Sequence, residues 1–454
     1  MTRYATTDPT TGTVVATVPT ATDEEVRDAV DRSAAAYADW ARTPVGERSR
    51  LLRRVAELFL EQVDPLAEAA ALEMGKPLRE GWEEAELCAE IFAYYADNAE
   101  ALLADRPVDS TRHRAVVQKR PLGPLLGIMP WNFPYYQVAR FAAPNLLVGN
   151  TILLKHAPGC PRSAAALEDL LHAAGVPRDV YLTLYATDAQ VGDVIADPRV
   201  RGVSLTGGER AGAAVAEQAG RHLTKVVLEL GGSDPAIVLD SDDPVALADT
   251  LVLSRVYNAG QACNAPKRLI VVGDLHDVLV DHVVERVSAL TVGDPRDPAT
   301  DVGPLSSRPA AEALVARIDR AVADGAVLHV GGTLVDGTSA YVRPAVLTGI
   351  APGTVSHHEE FFGPVVVLYR AADVEEAVAL ANDTPYGLGA SVFSADADRA
   401  RAVAERIDAG MVFLNEAGGS WAEIPFGGVK RSGFGRELGT AGITEFVNDR
   451  VVKL

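Results

Sequence analysis

Apolar and polar residues alternate at the start of the chain, and positions 1 to 20 read as a short hairpin. Its turn is Asp8-Pro9-Thr10-Thr11-Gly12. Thr22 with Glu25 makes a capping box, and the pattern beyond it predicts a helix to about Arg42. Two more amphipathic helices are predicted near 46–73 and 80–104, and the stretch 112–127 is β-like with basic residues in it. From Thr151 the texture changes. Apolar β-rich runs at 151–154, 180–185, 202–206 and 225–230 alternate with Ala-rich helical patterns at 162–174, 188–196 and 210–219. Such alternation predicts a parallel sheet with helices on its faces. It resumes after about 232 with Ala236-Ile237-Val238-Leu239, and further strands are expected at 268–272, 345–348 and 364–369. The fold class is therefore α/β, with a second α/β unit after the first. The tail Phe446 to Lys453 alternates like an exposed strand, an edge that invites pairing with another subunit.

Composition narrows the partners. A length of 454 residues with 48% hydrophobic and 23% charged positions fits an ordinary globular chain of two or three domains. A formal net charge of -20 argues against a nucleic-acid or anionic-membrane surface. No apolar run reaches the roughly 18 residues of a spanning helix. Cys88, Cys160 and Cys263 have no metal-ligand spacing and are odd in number, so neither a metal site nor a disulfide framework is expected. The N-terminus has no signal-peptide pattern, and a reducing cytoplasm is the expected location.

Candidate chemistry gathers in a few short stretches. Cys263 follows Asn258-Ala259-Gly260-Gln261-Ala262, a segment that reads as a bend, where a thiol can reach a carbonyl carbon. Glu229 ends an apolar strand before Gly231-Gly232, and glutamate is depleted in buried strands. Asn132 lies in Trp131-Asn132-Phe133-Pro134, an amide donor in a proline-clamped loop. A nucleophile, a base and an amide donor are the parts for making and hydrolysing a thioester. Gly207 and Gly208 follow a strand and open a helix, which suits a pyrophosphate although GxGxxG spacing is absent. Lys155 ends another strand and can reach a ribose or phosphate. Each residue alone has a structural reading too. Cys263 fits a packed turn, Glu229 and Lys155 fit solvated strand ends, Asn132 can brace its own loop, and the glycines an ordinary βα turn.

Seven ordered motifs change that balance. Trp131-Asn132-Phe133-Pro134, Leu154-Lys155, Leu205-Thr206-Gly207, Glu229-Leu230-Gly231-Gly232, Gly260-Gln261-Ala262-Cys263, Glu360-Phe361-Phe362-Gly363-Pro364 and Pro425-Phe426-Gly427-Gly428 occur in the order and spacing of NAD(P)-dependent aldehyde dehydrogenases. The resemblance covers essentially the whole chain. It implies a Rossmann-like cofactor domain (1–107 and 123–231), an α/β catalytic domain (232–424) and a small β oligomerisation arm (108–122 and 437–454). It implies that Cys263 attacks the aldehyde, that Asn132 and the Cys263 N–H hold the oxyanion, and that Glu229 activates the hydrolytic water. By the same pattern Glu360 holds the nicotinamide ribose and Phe362 flanks the ring. Lys155 meets the adenosine ribose, Gly207 and Gly208 lie under the pyrophosphate, and Trp131 and Leu230 complete the cofactor site. Relatives that use coenzyme A lack the glutamate, so its presence favours water as acyl acceptor.

Within the family the chain is similar to short bacterial succinate-semialdehyde dehydrogenases, through Leu153-Leu154-Lys155-His156-Ala157, Leu230-Gly231-Gly232-Ser233-Asp234-Pro235 and Gly427 to Glu437. Arg140 and Ser420 fall where that subgroup binds a substrate carboxylate, with Gln137 beside them; a structural arginine paired within the acidic chain is the other reading of Arg140. Tyr257 replaces a second arginine found in some members, and Glu416 stands in the substrate loop. An uncharged aldehyde in a tunnel of Tyr135, Tyr136 and Trp421 is the alternative, and a non-catalytic ligand-binding protein a more distant one. Pro158 stands where NAD-preferring relatives often carry a glutamate against a 2′-phosphate, so NADP is favoured with NAD possible. A homodimer or homotetramer is expected.

Overall fold

The computed structural model describes residues 4–109, 112–335 and 337–454. Positions 1–3 of the predicted hairpin and 110–111 of the predicted arm lie outside the described residues.

Two large sheets carry the fold. The first has six strands, in the order Gly433–Phe434, Lys225–Glu229, Gly202–Thr206, Pro124–Met129, Thr151–His156 and Tyr181–Thr183. All neighbours in it are parallel except the antiparallel pair made by Gly433–Phe434 with Lys225–Glu229. The second has seven strands running from Val327–Val330 through Pro266–Val272 and Asp234–Val238 to Met411–Leu414. Its pairs are parallel except at the Val327–Val330 edge. Strands such as Thr151–His156 are buried along their whole length, because helices cover both faces. Each large sheet has its own apolar core, one around Leu125, Ile152 and Phe141 and another around Ile237, Ile270 and Val366.

The hairpin Tyr4–Asp8/Thr13–Val18 and the capping box at Thr22 form as the pattern requires. Two long helical predictions break. The stretch 46–73 divides at Gln62 into Val45–Glu61 and Val63–Met74. Pro65 has no N–H to give and would crowd the carbonyl four residues back, so the chain restarts and places it in a first turn, where neither defect costs. The stretch 80–104 divides at Asn98, whose amide caps the Tyr94 carbonyl at 2.8 Å. The β-like run 112–127 also divides. Arg114–Pro121 joins a three-stranded sheet with Arg106–Asp109 and Val447–Lys453, whereas Pro124–Met129 enters the six-stranded sheet. Between them Gly123 has φ +144°, and the Leu122 and Gly123 N–H groups donate to Asn150 Oδ1 at 2.8 and 3.1 Å. Val447–Lys453 is an edge strand of that small sheet.

Candidate active site

The chain crosses from one large sheet to the other through Glu229 to Asp234, and the thiol loop is built against that crossing. Helix Pro244–Val256 stops, and Asn258, Ala259 and Gly260 follow at φ +53°, +52° and +72°. Three successive left-handed residues are unfavourable, roughly 1–2 kcal/mol for an alanine. Gly260 is obligatory because a Cβ there would strike the Gly363 backbone. Buried polar groups hold the bend. Arg255 donates to the carbonyls of Val365 (2.7 Å), Gly260 (3.1 Å) and Phe361 (2.6 Å). Lys267 Nζ donates to the carbonyls of Ala262 (2.8 Å) and Cys263 (2.6 Å). The Asn258 N–H donates to Glu80 Oε2 at 2.7 Å.

Two cavities meet at this loop. One of about 420 Å³ is lined by Phe133, Tyr136, Tyr257, Ser420 and Phe426 among others. The other, about 250 Å³, is lined by Trp131, Gly207, Gly208, Leu230, Glu360 and Phe362 among others. Cys263 and Gln137 belong to both walls. A larger cavity of about 720 Å³ opens beside the three-stranded sheet and contains none of the candidate residues.

At the meeting point the predicted amide, thiol and carboxyl come together. Gln137 Nε2 donates to Asn132 Oδ1 at 3.0 Å, and Asn132 Nδ2 donates to the Gln261 carbonyl at 2.9 Å. Asn258 Nδ2 donates to the Asn132 carbonyl at 2.7 Å, tying the amide loop to the thiol loop. One Asn132 amide hydrogen thus fixes the side chain and leaves the second for a ligand. Burial pushes the Cys263 thiol up to about 11, with Arg140 and Lys267 pulling it back. Glu229 is buried and neither of its carboxyl oxygens has a hydrogen-bond partner among the described residues. Gly427 leaves it room, since a Cβ there would stand 2.6 Å from Oε1. Burial holds the Glu229 carboxyl well above the usual carboxylate range; Arg140 lowers it and Glu437 raises it. An unpaired carboxyl raised above the usual carboxylate range is a stronger base than an exposed glutamate.

The residues of the second cavity fit a dinucleotide. Nothing lies within 4 Å of a Cβ built on Gly208, which caps the 13-residue helix Glu209–Arg221, so its N-terminus is open to an anion. Glu360 accepts the Gly232 N–H at 3.3 Å and pairs with Lys267 at 3.2 Å. The Trp131 and Phe362 rings meet edge to face, centroids 5.9 Å apart. Lys155 and Pro158 lie away from this cavity, at the end of strand Thr151–His156. Burial lowers the Lys155 ammonium, which stands 3.7 Å from the exposed Asp188. The Pro158 carbonyl accepts the Ala5 N–H at 3.0 Å.

The substrate-side residues divide between the cavity wall, where Gln137 and Ser420 lie, and the interior. Arg140 is fully buried and does not line the larger of the two site cavities. It pairs with Glu437, lies 4.6 Å from the Phe426 ring centroid, and donates to Thr206 Oγ1 (3.1 Å) and Tyr136 Oη (3.3 Å). Tyr136 Oη in turn donates to Ser420 Oγ at 2.9 Å, and Ser420 does face the cavity. Tyr135 is buried with its hydroxyl on the Leu66 carbonyl at 3.0 Å, and Trp421 packs on Phe413. Neither lines the tunnel, and Glu416 is also absent from its wall. No Lys, Arg or His lines that wall among the described residues.

Several residues that build the site were not singled out from sequence. Glu84 Oε1 accepts the Tyr135 and Tyr136 N–H groups at 2.7 and 2.9 Å, pairs with Lys76 and is buried. Glu80, one helical turn earlier, grips the thiol loop. The available signal was two carboxylates spaced i,i+4 on the same helix face as Cys88 and Ile91, an apolar stripe where unpaired charge does not belong. Glu437 carried no such periodicity.

The aldehyde dehydrogenase family model matches residues 1–452. A succinate-semialdehyde dehydrogenase [NADP(+)] of Deinococcus radiodurans is 52% identical over 450 residues, covering 99% of this chain and 94% of that protein. Succinate-semialdehyde dehydrogenase [NADP(+)] 1 of Mycobacterium tuberculosis is 44% identical, covering 99% of each. The crystal structure of succinic semialdehyde dehydrogenase from Streptococcus pyogenes in complex with NADP+ superposes with a TM-score of 0.97 at 41% identity, covering 99% of both chains. This chain belongs to the aldehyde dehydrogenase family.

Proposed function

We propose that this chain oxidises succinate semialdehyde to succinate with NADP as hydride acceptor. The observation that carries the chemistry is the convergence of two cavities on one thiol, with Asn132 and Glu229 beside it. The substrate and cofactor rest on the relatives named above, two of which are called NADP enzymes of succinate semialdehyde at 52% and 44% identity.

Cys263 Sγ forms a bond to the aldehyde carbon, and the free Asn132 amide hydrogen with the Cys263 N–H holds the resulting oxyanion. Lys267 and Arg140 lower the cost of ionising a thiol that burial otherwise keeps protonated. When bound, the nicotinamide supplies the hydride acceptor that converts the Cys263 thiohemiacetal into a thioester. Glu229 then takes a proton from water, which attacks the acyl carbon and releases the carboxylate and the thiol. The net balance is aldehyde plus water plus NADP+ to acid plus NADPH plus a proton. Trp131, Gly207, Gly208, Leu230, Glu360 and Phe362 hold the dinucleotide, with Lys155 on its adenosine ribose or 2′-phosphate. Pro158 brings no carboxylate to oppose that phosphate.

For the substrate tail we assign the Ser420 hydroxyl as the donor, oriented by Tyr136, with Gln137 in the wall. Arg140 acts through them: its guanidinium polarises the Tyr136 hydroxyl, and that hydroxyl bonds Ser420. The cation-free wall, with Glu83 and Glu84 in it, favours a second reading, an uncharged aldehyde by the same mechanism. We take the six-stranded sheet as the centre of the cofactor domain, the seven-stranded sheet as that of the catalytic domain, and the three-stranded sheet as an arm pairing copies into a homodimer or homotetramer. Three free cysteines fit a reducing cytoplasm.

Absorbance at 340 nm with succinate semialdehyde or butanal, and NADP or NAD, separates the readings. Preference for succinate semialdehyde with NADP supports the first. Reduction with butanal alone keeps the mechanism and discards the substrate, and activity in Cys263→Ala overturns the nucleophile.

A further inference from the structure

A second cluster of reactive side chains lies outside both site cavities. The short helix Val355–His358 ends in two consecutive histidines, and helix Val374–Asn382 ends beside them at Asp383. His357 is buried between two partners: Nε2 is 3.1 Å from Asp383 Oδ2 and Nδ1 is 3.1 Å from the Tyr369 hydroxyl. The His358 ring stands edge to face on His357, centroids 4.9 Å apart. Its Nδ1 is buried and has no hydrogen-bond partner among the described residues. One donor atom from each of His357, His358 and Asp383 can be chosen so that all three lie within 4.8 Å of one another.

We propose that His357, His358 and Asp383 bind a divalent transition-metal ion of the zinc class. Two imidazoles and one carboxylate are borderline donors, which suit Zn²⁺, Co²⁺, Ni²⁺ or Cu²⁺ and not Mg²⁺ or Ca²⁺. Three protein donors and a water complete a four-coordinate zinc shell with metal–donor bonds of about 2.0–2.2 Å. Donor atoms in such a shell stand about 3.3 Å apart. The His357–Asp383 pair is already at that spacing, at 3.1 Å. His358 has to close by no more than about 1.5 Å from the 4.8 Å limit, a movement within reach of a side-chain rotation. The Tyr369 hydroxyl holds His357 by its other nitrogen, the outer bond that fixes a ligating imidazole. Asp383 is exposed, so an ion reaches the site from solvent. The Arg268 guanidinium, whose charge is felt at His357, is committed to the carbonyls of Ser233, Leu380 and Ala381 at 2.8, 2.7 and 2.9 Å.

Placement gives the ion a consequence. His358 precedes Glu360 by two residues, and the Glu360 carboxylate meets Gly232 and Lys267 in the other cavity. A bound ion ties the segment leading to Glu360 to the end of helix Val374–Asn382. The site stands on its own donors and does not depend on the substrate assignment.

The test is equilibrium dialysis of the full chain against Zn²⁺ in moderate salt, with Cys263→Ser as the parent so that the accessible thiol does not compete. The parent is expected to bind one tight ion per chain. His358→Ala should weaken that binding at least about 100-fold and Tyr369→Phe about 10-fold, the range seen when an outer-shell partner is lost. Co²⁺ should give d–d absorption in the parent that is missing in His358→Ala, while Mg²⁺ in excess should not displace Zn²⁺. Melting points of the metal-free proteins show that the variants remain folded. Equal Zn²⁺ affinity in the parent and a folded His358→Ala, or no tight ion in the parent, overturns the proposal.

Discussion

Arg140 and Glu437 form the electrostatic floor of the site, and replacing Arg140 with methionine tests it. Their side chains are 0% and 6% exposed, so neither charge can be rescued by water. Removing one partner of a buried pair typically costs about 3–5 kcal/mol, because the other is left uncompensated. Removing both, as Arg140→Met with Glu437→Leu, leaves chiefly Ser204 Oγ without its 3.0 Å acceptor, a cost of about 1–3 kcal/mol. The double variant should therefore be more stable than Arg140→Met by about 2 kcal/mol. Acidity provides a second check. Burial already raises the Glu437 carboxyl and Arg140 pulls it down, so losing Arg140 raises it further. A carboxyl with a raised folded pKa binds its proton more tightly when folded, and the stability it contributes is lost as pH rises through that value. The deficit of Arg140→Met should therefore be smaller at an acidic pH and larger at an alkaline one. Melting midpoints of the four proteins at both pH values are the assay. Wild-type melting in Arg140→Met, or a double variant weaker than either single, would refute the buried-pair argument. It would also free Arg140 to hold a substrate carboxylate directly.

Three further outcomes follow from the same geometry. Alkylation of Cys263 in the cofactor-free enzyme should keep accelerating with pH and show no plateau below about pH 10, because burial places the thiol near 11; a plateau near neutrality would contradict that burial. Glu80→Leu should strand the Asn258 N–H, cost about 1–3 kcal/mol and lower kcat with little change in the KM for NADP, whereas unchanged kcat would remove Glu80 from the support of the thiol loop. Burial raises Glu80 to about 8. Pro158→Glu should raise the KM for NADP far more than that for NAD, and equal effects would separate this position from the 2′-phosphate.

Much of this was legible in the sequence, for reasons that differ by element. The strands at 202–206 and 345–348 and the helix at 188–196 carry strong local patterns bounded by turns, and their predicted limits are the observed ones. The breaks at Gln62 and Asn98 were hidden because apolar periodicity runs through both, and local caps and Pro65 override it. At the site, Cys263, Glu229 and Asn132 stand in motifs with little apolar periodicity, so they showed. Glu80 and Glu84 were marked only by their place on an apolar helix face and Glu437 by nothing local, and the sequence does not show the donor that Glu80 meets 178 residues away. Arg140 was visible but its surroundings were not, since Glu437 and Phe426 reach it only in three dimensions.

The central claim is that one thiol carries the acyl group and one carboxyl releases it. Intact-mass and peptide mapping of Glu229→Gln, incubated with succinate semialdehyde and NADP, tests this most directly. The account predicts one succinyl group on the Cys263 peptide, dependent on NADP, together with a burst of one NADPH per chain. An unmodified Cys263 after such a burst, or acylation of Cys88 or Cys160 instead, would contradict it.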